Sequence, residues 1–164
     1  MKPSLYLETT IPSYLAARPS KNIITIGRQA ITHEFYKSEW HKYELHVSDY
    51  VLRECSDGNV NAAKRRLGWL KGINILKDTP DVKPLAATYQ RILNIPEKNK
   101  IDSFHLAVCC IYGVNILLSW NFKHLGINSM LIIKGYNDTH GLSTPQMVTP
   151  DALVEKYKEV DLDE

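Results

Sequence analysis

Two hydrophobic periods alternate along this chain. Ser4 to Leu7, Tyr43 to Val47, Ile73 to Leu76 and Val114 to Ser119 are short apolar runs with the length and composition of strands. Between them apolar positions recur three and four apart. Ile23, Ile24, Ile26, Ala30, Ile31, Phe35 and Tyr36 predict a long amphipathic helix from about Lys21 to Trp40, and shorter helices follow over Asp49 to Cys55, Asn61 to Lys71 and Asp81 to Leu93. The stretch from Asn99 to Leu125 is the most informative. Asn99 is placed to cap a helix, Asp102 stands three positions later, and Leu106, Val108, Cys109, Ile111 and Tyr112 spread apolar surface around much of that helix. Gly113 ends it, and the unbroken run that follows suits a strand buried on both faces of a parallel sheet.

The polar positions supply the boundaries. Thr9, Thr10 and Pro12 read as a helix start with threonine capping, and Ser48 reads as the cap of the helix carrying Glu54. Asp57, Gly58 and Asn59 break the chain, and residues 94–100 form a polar connector. Beyond Asn121, residues 128–137 read as helix, although Met130 to Ile133 are also strand formers. Gly141 to Pro145 is a turn, Gln146 to Val148 a short edge strand, and Thr149 starts a last helix through Tyr157. Alternation of strands and helices gives an α/β fold around a largely parallel sheet. Residues 1–158 are expected to form one domain, and the acidic tail, residues 159–164, is expected to fray.

Composition narrows the function classes. No apolar run approaches the roughly 20 residues of a membrane span, and the first residues lack a secretory signal, so a cytoplasmic protein without membrane attachment is expected. Cys55, Cys109 and Cys110 lack metal-type spacing and read as reduced, packed thiols. A net charge of +2 neither identifies nor opposes a polyanionic partner.

Three acids are placed where α/β sheets carry chemistry. Glu8 follows the first strand, Glu54 lies in the helix after the second, and Asp102 opens the helix before the fourth; strand ends and adjoining helices share one edge, so the three can converge on one cleft. Converging carboxylates raise one another's pKa unless a cation neutralises them, and hard oxygen donors suit Mg²⁺ or Mn²⁺. Such sites commonly cleave phosphodiesters. Taken singly, each acid has a plainer reading: Asp102 as a helix-start acid, Glu54 as a solvated helix acid.

The order of motifs resembles the PIN domain family over nearly the whole chain, from Leu5 to about Val154. Tyr6-Leu-Glu-Thr-Thr10 resembles its opening strand with acid and hydroxyls, and Val47-Ser-Asp-Tyr-Val-Leu-Arg-Glu54 its second acidic segment. Ile101-Asp-Ser-Phe-His-Leu-Ala107 with Ile116-Leu-Leu-Ser-Trp-Asn121 resembles the third acidic motif and the strand after it, and Thr149-Pro-Asp-Ala-Leu153 the closing turn and helix. The resemblance implies a three-layer α/β/α fold with a sheet of four to five strands. It further implies a Mg²⁺- or Mn²⁺-dependent endoribonuclease acting on single-stranded RNA, commonly the toxin of a toxin–antitoxin pair and a homodimer, with an antitoxin protein as partner. Glu8, Glu54 and Asp102 would be the catalytic and metal-binding residues.

Two positions depart from the family pattern. Family members mostly open with aspartate where this chain has Glu8, and frequently carry a fourth acid where this chain has neutral Asn121, so a weakened enzyme or a non-cleaving RNA- or protein-binding module is the alternative. Thr9, Thr10, Ser119 and Asn121 are candidates for orienting carboxylates or waters, with capping and strand termination as ordinary explanations. His105 could touch the cleft but reads as a hydrogen-bonded core residue, outside the catalytic set. Arg18, Lys21, Arg65, Lys123 and His124 are candidate phosphate contacts, with plain solvation as the simpler reading, and Trp120 and Phe122 read as packing residues.

Overall fold

Five parallel strands form the sheet, in the order β3-β2-β1-β4-β5, in a computed structural model that describes residues 1–157. The strands are β1 (Ser4–Leu7), β2 (Glu44–Ser48), β3 (Asn74–Leu76), β4 (Ile116–Leu118) and β5 (Gln146–Val148). Seven α-helices accompany them among the described residues: α1 (Thr10–Ala16), α2 (Ile23–Ser38), α3 (Asp49–Ser56), α4 (Val60–Trp69), α5 (Val82–Ile92), α6 (Ile101–Tyr112) and α7 (Ile127–His140). The tail expected to fray, residues 159–164, lies outside the described residues, as does residue 158.

β1 is the centre of the sheet, with Leu5 opposite both Leu45 and Ile116, and Tyr6 opposite His46 and Leu117. Leu5, Tyr6 and Leu7 are all fully buried. Successive strand residues point to opposite faces, so both faces of the sheet are covered, which is the three-layer α/β/α arrangement. Each fully buried leucine of this core contributes on the order of 1.5–3 kcal/mol of transfer free energy. β5 is the edge strand its sequence suggested, and residues 127–140 are helical. Gly113 closes α6 in the left-handed conformation, φ 64°, which glycine adopts without a Cβ penalty. The three cysteines are free and buried.

Local expectations fail where backbone conformation overrides residue preference. Thr9 does not cap α1: its backbone is already helical (φ −56°, ψ −26°), whereas a capping side chain requires an extended backbone. Asn99 does not cap α6 for the same reason, since a 3-10 turn over Glu97–Asn99 runs through a helical Lys100 straight into Ile101. Ser48 is extended and does cap α3, accepting from the Val51 amide. The expected closing α-helix is instead two 3-10 turns, Pro150–Ala152 and Glu155–Tyr157. Arg66 in α4 donates from Nε to the Cys55 carbonyl and so closes the end of α3. Among the described residues no helix is long and apolar enough to cross a membrane.

Candidate active site

The carboxyl ends of β1, β2 and β4 adjoin at the middle of the sheet, where β1 is flanked by strands reached from opposite directions along the chain. Glu8 is the first residue beyond β1, and its amide still donates to the Leu118 carbonyl, so its backbone is fixed to β4. Its Oε2 accepts from the Thr10 amide at 3.0 Å, Thr10 Oγ1 at 2.6 Å and Ser119 Oγ at 2.7 Å. Both hydroxyls are aimed by the loop after β4: the Trp120 amide donates to Thr10 Oγ1 and the Asn121 amide to Ser119 Oγ, each at 2.9 Å. With an amide filling an acceptor position, each hydroxyl turns its hydrogen to the carboxylate.

Glu54 reaches the same place from α3. Its Oε1 accepts from Thr9 Oγ1 at 2.6 Å and pairs with His105 Nε2 at 2.7 Å. The hydroxyl that does not cap α1 therefore orients a carboxylate. Burial alone would raise the Glu54 carboxyl, but the hydrogen bond and charge of His105, with the Thr9 hydrogen bond, outweigh it and hold the group below the usual carboxylate range. His105 is 2% exposed; burial disfavours its charged form, yet the Glu54 hydrogen bond and the charges of Glu8, Glu54 and Asp102 raise its pKa.

One carboxylate oxygen each from Glu8 and Glu54, together with a ring nitrogen of His105, lie within 4.8 Å of one another. The close group thus contains His105, which periodicity assigned to the core, and does not contain Asp102. Asp102 still belongs to the same electrostatic neighbourhood. Desolvation raises its carboxyl, the positive charges of His105 and His124 oppose that, and the negative charges of Glu8 and Glu54 reinforce it. Among the described residues its Oδ2 is buried without a hydrogen-bond partner, as is His124 Nε2. Asn121 is exposed and enters the site through its backbone amide rather than its side chain.

This donor set fits a divalent cation. Glu8 and Glu54 each have one oxygen tied by protein donors and the other free of protein hydrogen bonds among the described residues, and Asp102 adds a buried oxygen without a hydrogen-bond partner among them. Oxygen donors of this kind suit Mg²⁺ or Mn²⁺ better than softer metals.

A groove runs from Glu54 past Tyr50, Arg53, Lys83, Lys98, Lys100 and Phe104. The Arg53 guanidinium lies 5.3 Å from the Tyr50 ring centroid, and the Tyr50 and Phe104 rings are 4.9 Å apart. Asp57, Asp78 and Glu97 share the groove, so its charge is mixed. The basic residues singled out from sequence do not line this groove: Arg18, Lys21 and Lys123 are exposed, Arg65 donates to the Ala16 carbonyl, and His124 acts on Asp102 instead. Trp120 packs against the core and donates from Nε1 to Thr32 Oγ1, and Phe122 is partly buried against the same core.

No family model matches the chain, and no curated protein matches it. Solved structures do. VapC20 of Mycobacterium tuberculosis, a Sarcin-Ricin loop cleaving toxin, superposes with a TM-score of 0.58 at 16% identity, covering 74% of this chain and 92% of that one. VapBC2 of Rickettsia felis, bound to a DNA fragment from its promoter, gives 0.56 at 12% identity, with 88% and 97% covered. A toxin–antitoxin complex from Klebsiella pneumoniae gives 0.56 at 15% identity, with 90% and 98% covered. At these identities the likeness establishes the fold, which is the PIN-like α/β/α architecture.

Proposed function

We propose that the chain is a metal-dependent endoribonuclease of PIN type, in which Glu8, Glu54 and Asp102 hold Mg²⁺ or Mn²⁺ and hydrolyse single-stranded RNA. The observation that carries this reading is the division of labour within the carboxylates. Thr10 and Ser119 fix one oxygen of Glu8, Thr9 and His105 fix one of Glu54, and the charges of both acids act on Asp102, whose Oδ2 has no hydrogen-bond partner among the described residues. Three acids held this way without a cation would repel one another. A bound divalent ion lowers the pKa of water and neutralises charge developing on the scissile phosphate. The protein's own part is to hold the carboxylates at fixed orientation, and to offer Arg53, Lys83, Lys98 and Lys100 along the groove beside Glu54 for backbone phosphates. Products ending in a 5′-phosphate and a 3′-hydroxyl are expected.

Cleavage of a labelled single-stranded RNA with Mn²⁺ tests the assignment. Asp102→Asn should abolish it while circular dichroism stays unchanged; equal cleavage before and after the substitution would refute the site.

The second reading, a binding module without catalysis, rests on Glu8 and on the exposed, neutral Asn121. Calorimetry with Mn²⁺ separates the two: a degenerate site takes up little metal, whereas a working site loses its binding on Glu54→Gln. Glu8→Asp should increase cleavage if the longer side chain weakens the catalyst.

The likeness to toxin–antitoxin complexes supports a toxin role with an antitoxin partner, and to this reading we add a cytoplasmic location and a homodimeric state. Ile23, Ile24 and Ile26, exposed at the start of α2, are the surface we assign to an antitoxin segment or a second copy, whereas Phe35 is fully buried core. Light scattering that shows a monomer at micromolar concentration, with expression that leaves growth untouched, would count against both dimer and toxin.

A further inference from the structure

The side chain of Tyr6 is fully buried at the centre of the sheet, yet its hydroxyl is placed for two hydrogen bonds, 2.7 Å from Ser48 Oγ and 2.6 Å from His105 Nδ1. On the far side of the imidazole, His105 Nε2 lies 2.7 Å from Glu54 Oε1. A carboxylate only accepts, so Nε2 carries the hydrogen and donates whether or not the ring is charged. The contacts therefore form one unbroken line, from the cap of α3 through the core of β1 and the first turns of α6 to the carboxylate of α3.

We infer that His105, braced by the Tyr6 hydroxyl, is a positioning residue that fixes Glu54 for the divalent ion. The inference rests on the metal-dependent reading given above. Three features favour positioning over direct ligation. Both ring nitrogens already have protein partners, so neither lone pair is vacant. The Glu54 oxygen that His105 holds is also held by Thr9, which leaves the other oxygen as the one available to a cation. The ring is wedged by packing as well, its centroid 5.7 Å from that of Tyr6. The Glu54 side chain has three rotatable bonds, and without this brace the Thr9 hydroxyl alone would order them before the ion binds. Outer hydrogen-bond partners of metal ligands are commonly worth 10–100-fold in metal affinity.

The test is calorimetric titration of the full chain with Mn²⁺, run on wild type, His105→Gln, His105→Asn and Tyr6→Phe, with folding checked by circular dichroism. Gln places its amide nitrogen near the position of Nε2 and should keep affinity within about 3-fold, whereas Asn stops short of Glu54 and should lose about 10-fold or more. Tyr6→Phe, which frees the ring without removing the donor, should fall between them. If His105→Asn does not fold, the comparison of His105→Gln with Tyr6→Phe decides: equal, wild-type affinity in both overturns the brace. Wild-type affinity in a folded His105→Asn also overturns it, as does a ¹⁴N coupling in the pulsed electron paramagnetic resonance of bound Mn²⁺ that vanishes in His105→Asn, because the imidazole would then be a ligand. Absence of Mn²⁺ binding by wild type would instead refute the metal-dependent reading itself, and this inference with it.

Discussion

Ser119 Oγ donates to Glu8 Oε2 at 2.7 Å across 111 residues of chain, joining the ends of β4 and β1 at the site. Thr10 Oγ1 donates to the same oxygen from the other side, so the orientation of Glu8 depends on two hydroxyls that are themselves aimed by loop amides.

Removing these hydroxyls should therefore weaken metal binding at a small cost in stability. Ser119→Ala is expected to weaken Mn²⁺ binding about 10-fold. Thr10→Val should do the same, and each variant is expected to destabilise the fold by about 1 kcal/mol, because the Trp120 amide loses its acceptor in one and the Asn121 amide in the other. Calorimetry and urea unfolding of both variants check the pair, and unchanged affinity in both would show that Glu8 is oriented without them.

Asp102 should display a trade between stability and function. Its Oδ2 is buried without a partner, and desolvation holds its carboxyl above the ordinary range, so at neutral pH its charge disfavours the folded state. In chelator-treated protein Asp102→Asn is expected to raise Tm by about 2–4 °C, the shift that 1 kcal/mol causes in a domain of this size. The gain should disappear below about pH 3.9, where the unfolded chain's aspartate is protonated too. Saturating Mn²⁺ should reverse the order, stabilising wild type above the variant. A lower Tm for the variant under chelation would show that the Asp102 charge is already compensated by the protein.

Acid sensitivity should track Glu39. This side chain is 4% exposed; burial alone would raise its carboxyl, but hydrogen bonds from Lys42 and Ser38 and the Lys42 charge hold it below the usual range. A depressed folded pKa means stability that is fully present above the unfolded value, about 4.3 for glutamate, and is lost as pH falls through the folded value. Glu39→Gln should be less stable than wild type at pH 7 and lose less on acidification. Urea midpoints between pH 7 and pH 3 measure this, and parallel curves for the two proteins would remove Glu39 from the acid limb.

Asn137 should be the most costly single polar position outside the site. Fully buried, it accepts from Tyr89 Oη and donates to the Ser143 carbonyl and Thr144 Oγ1, tying α7 to α5 and to the turn before β5. Asn137→Leu leaves the Tyr89 hydroxyl in a dry core and is expected to destabilise by about 3 kcal/mol. A loss below about 1 kcal/mol in chemical unfolding would mean that water replaces the amide.

The alternation of strands and helices, the stop at Gly113, the cap at Ser48 and the placement of Glu8 and Ser119 at strand ends were all legible in the sequence, because each follows from local periodicity or the conformational preference of one residue. What only the tertiary structure decided depends on residues far apart in the chain. Helical spacing put His105 on an apolar helix and made it a core residue; it is buried, but the neighbours that give it chemistry, Tyr6 and Glu54, come from β1 and α3, and no local pattern encodes them. Thr9 has the composition of a cap, yet its backbone enters α1 already helical and its hydroxyl serves Glu54 instead. Asp102 opens α6, yet the donor atoms within 4.8 Å of one another are those of Glu8, Glu54 and His105, which is decided by how β1, α3 and α6 meet. Ile23, Ile24 and Ile26 follow a core-like period and are exposed, since periodicity records which side of a helix is apolar but not whether anything packs against it.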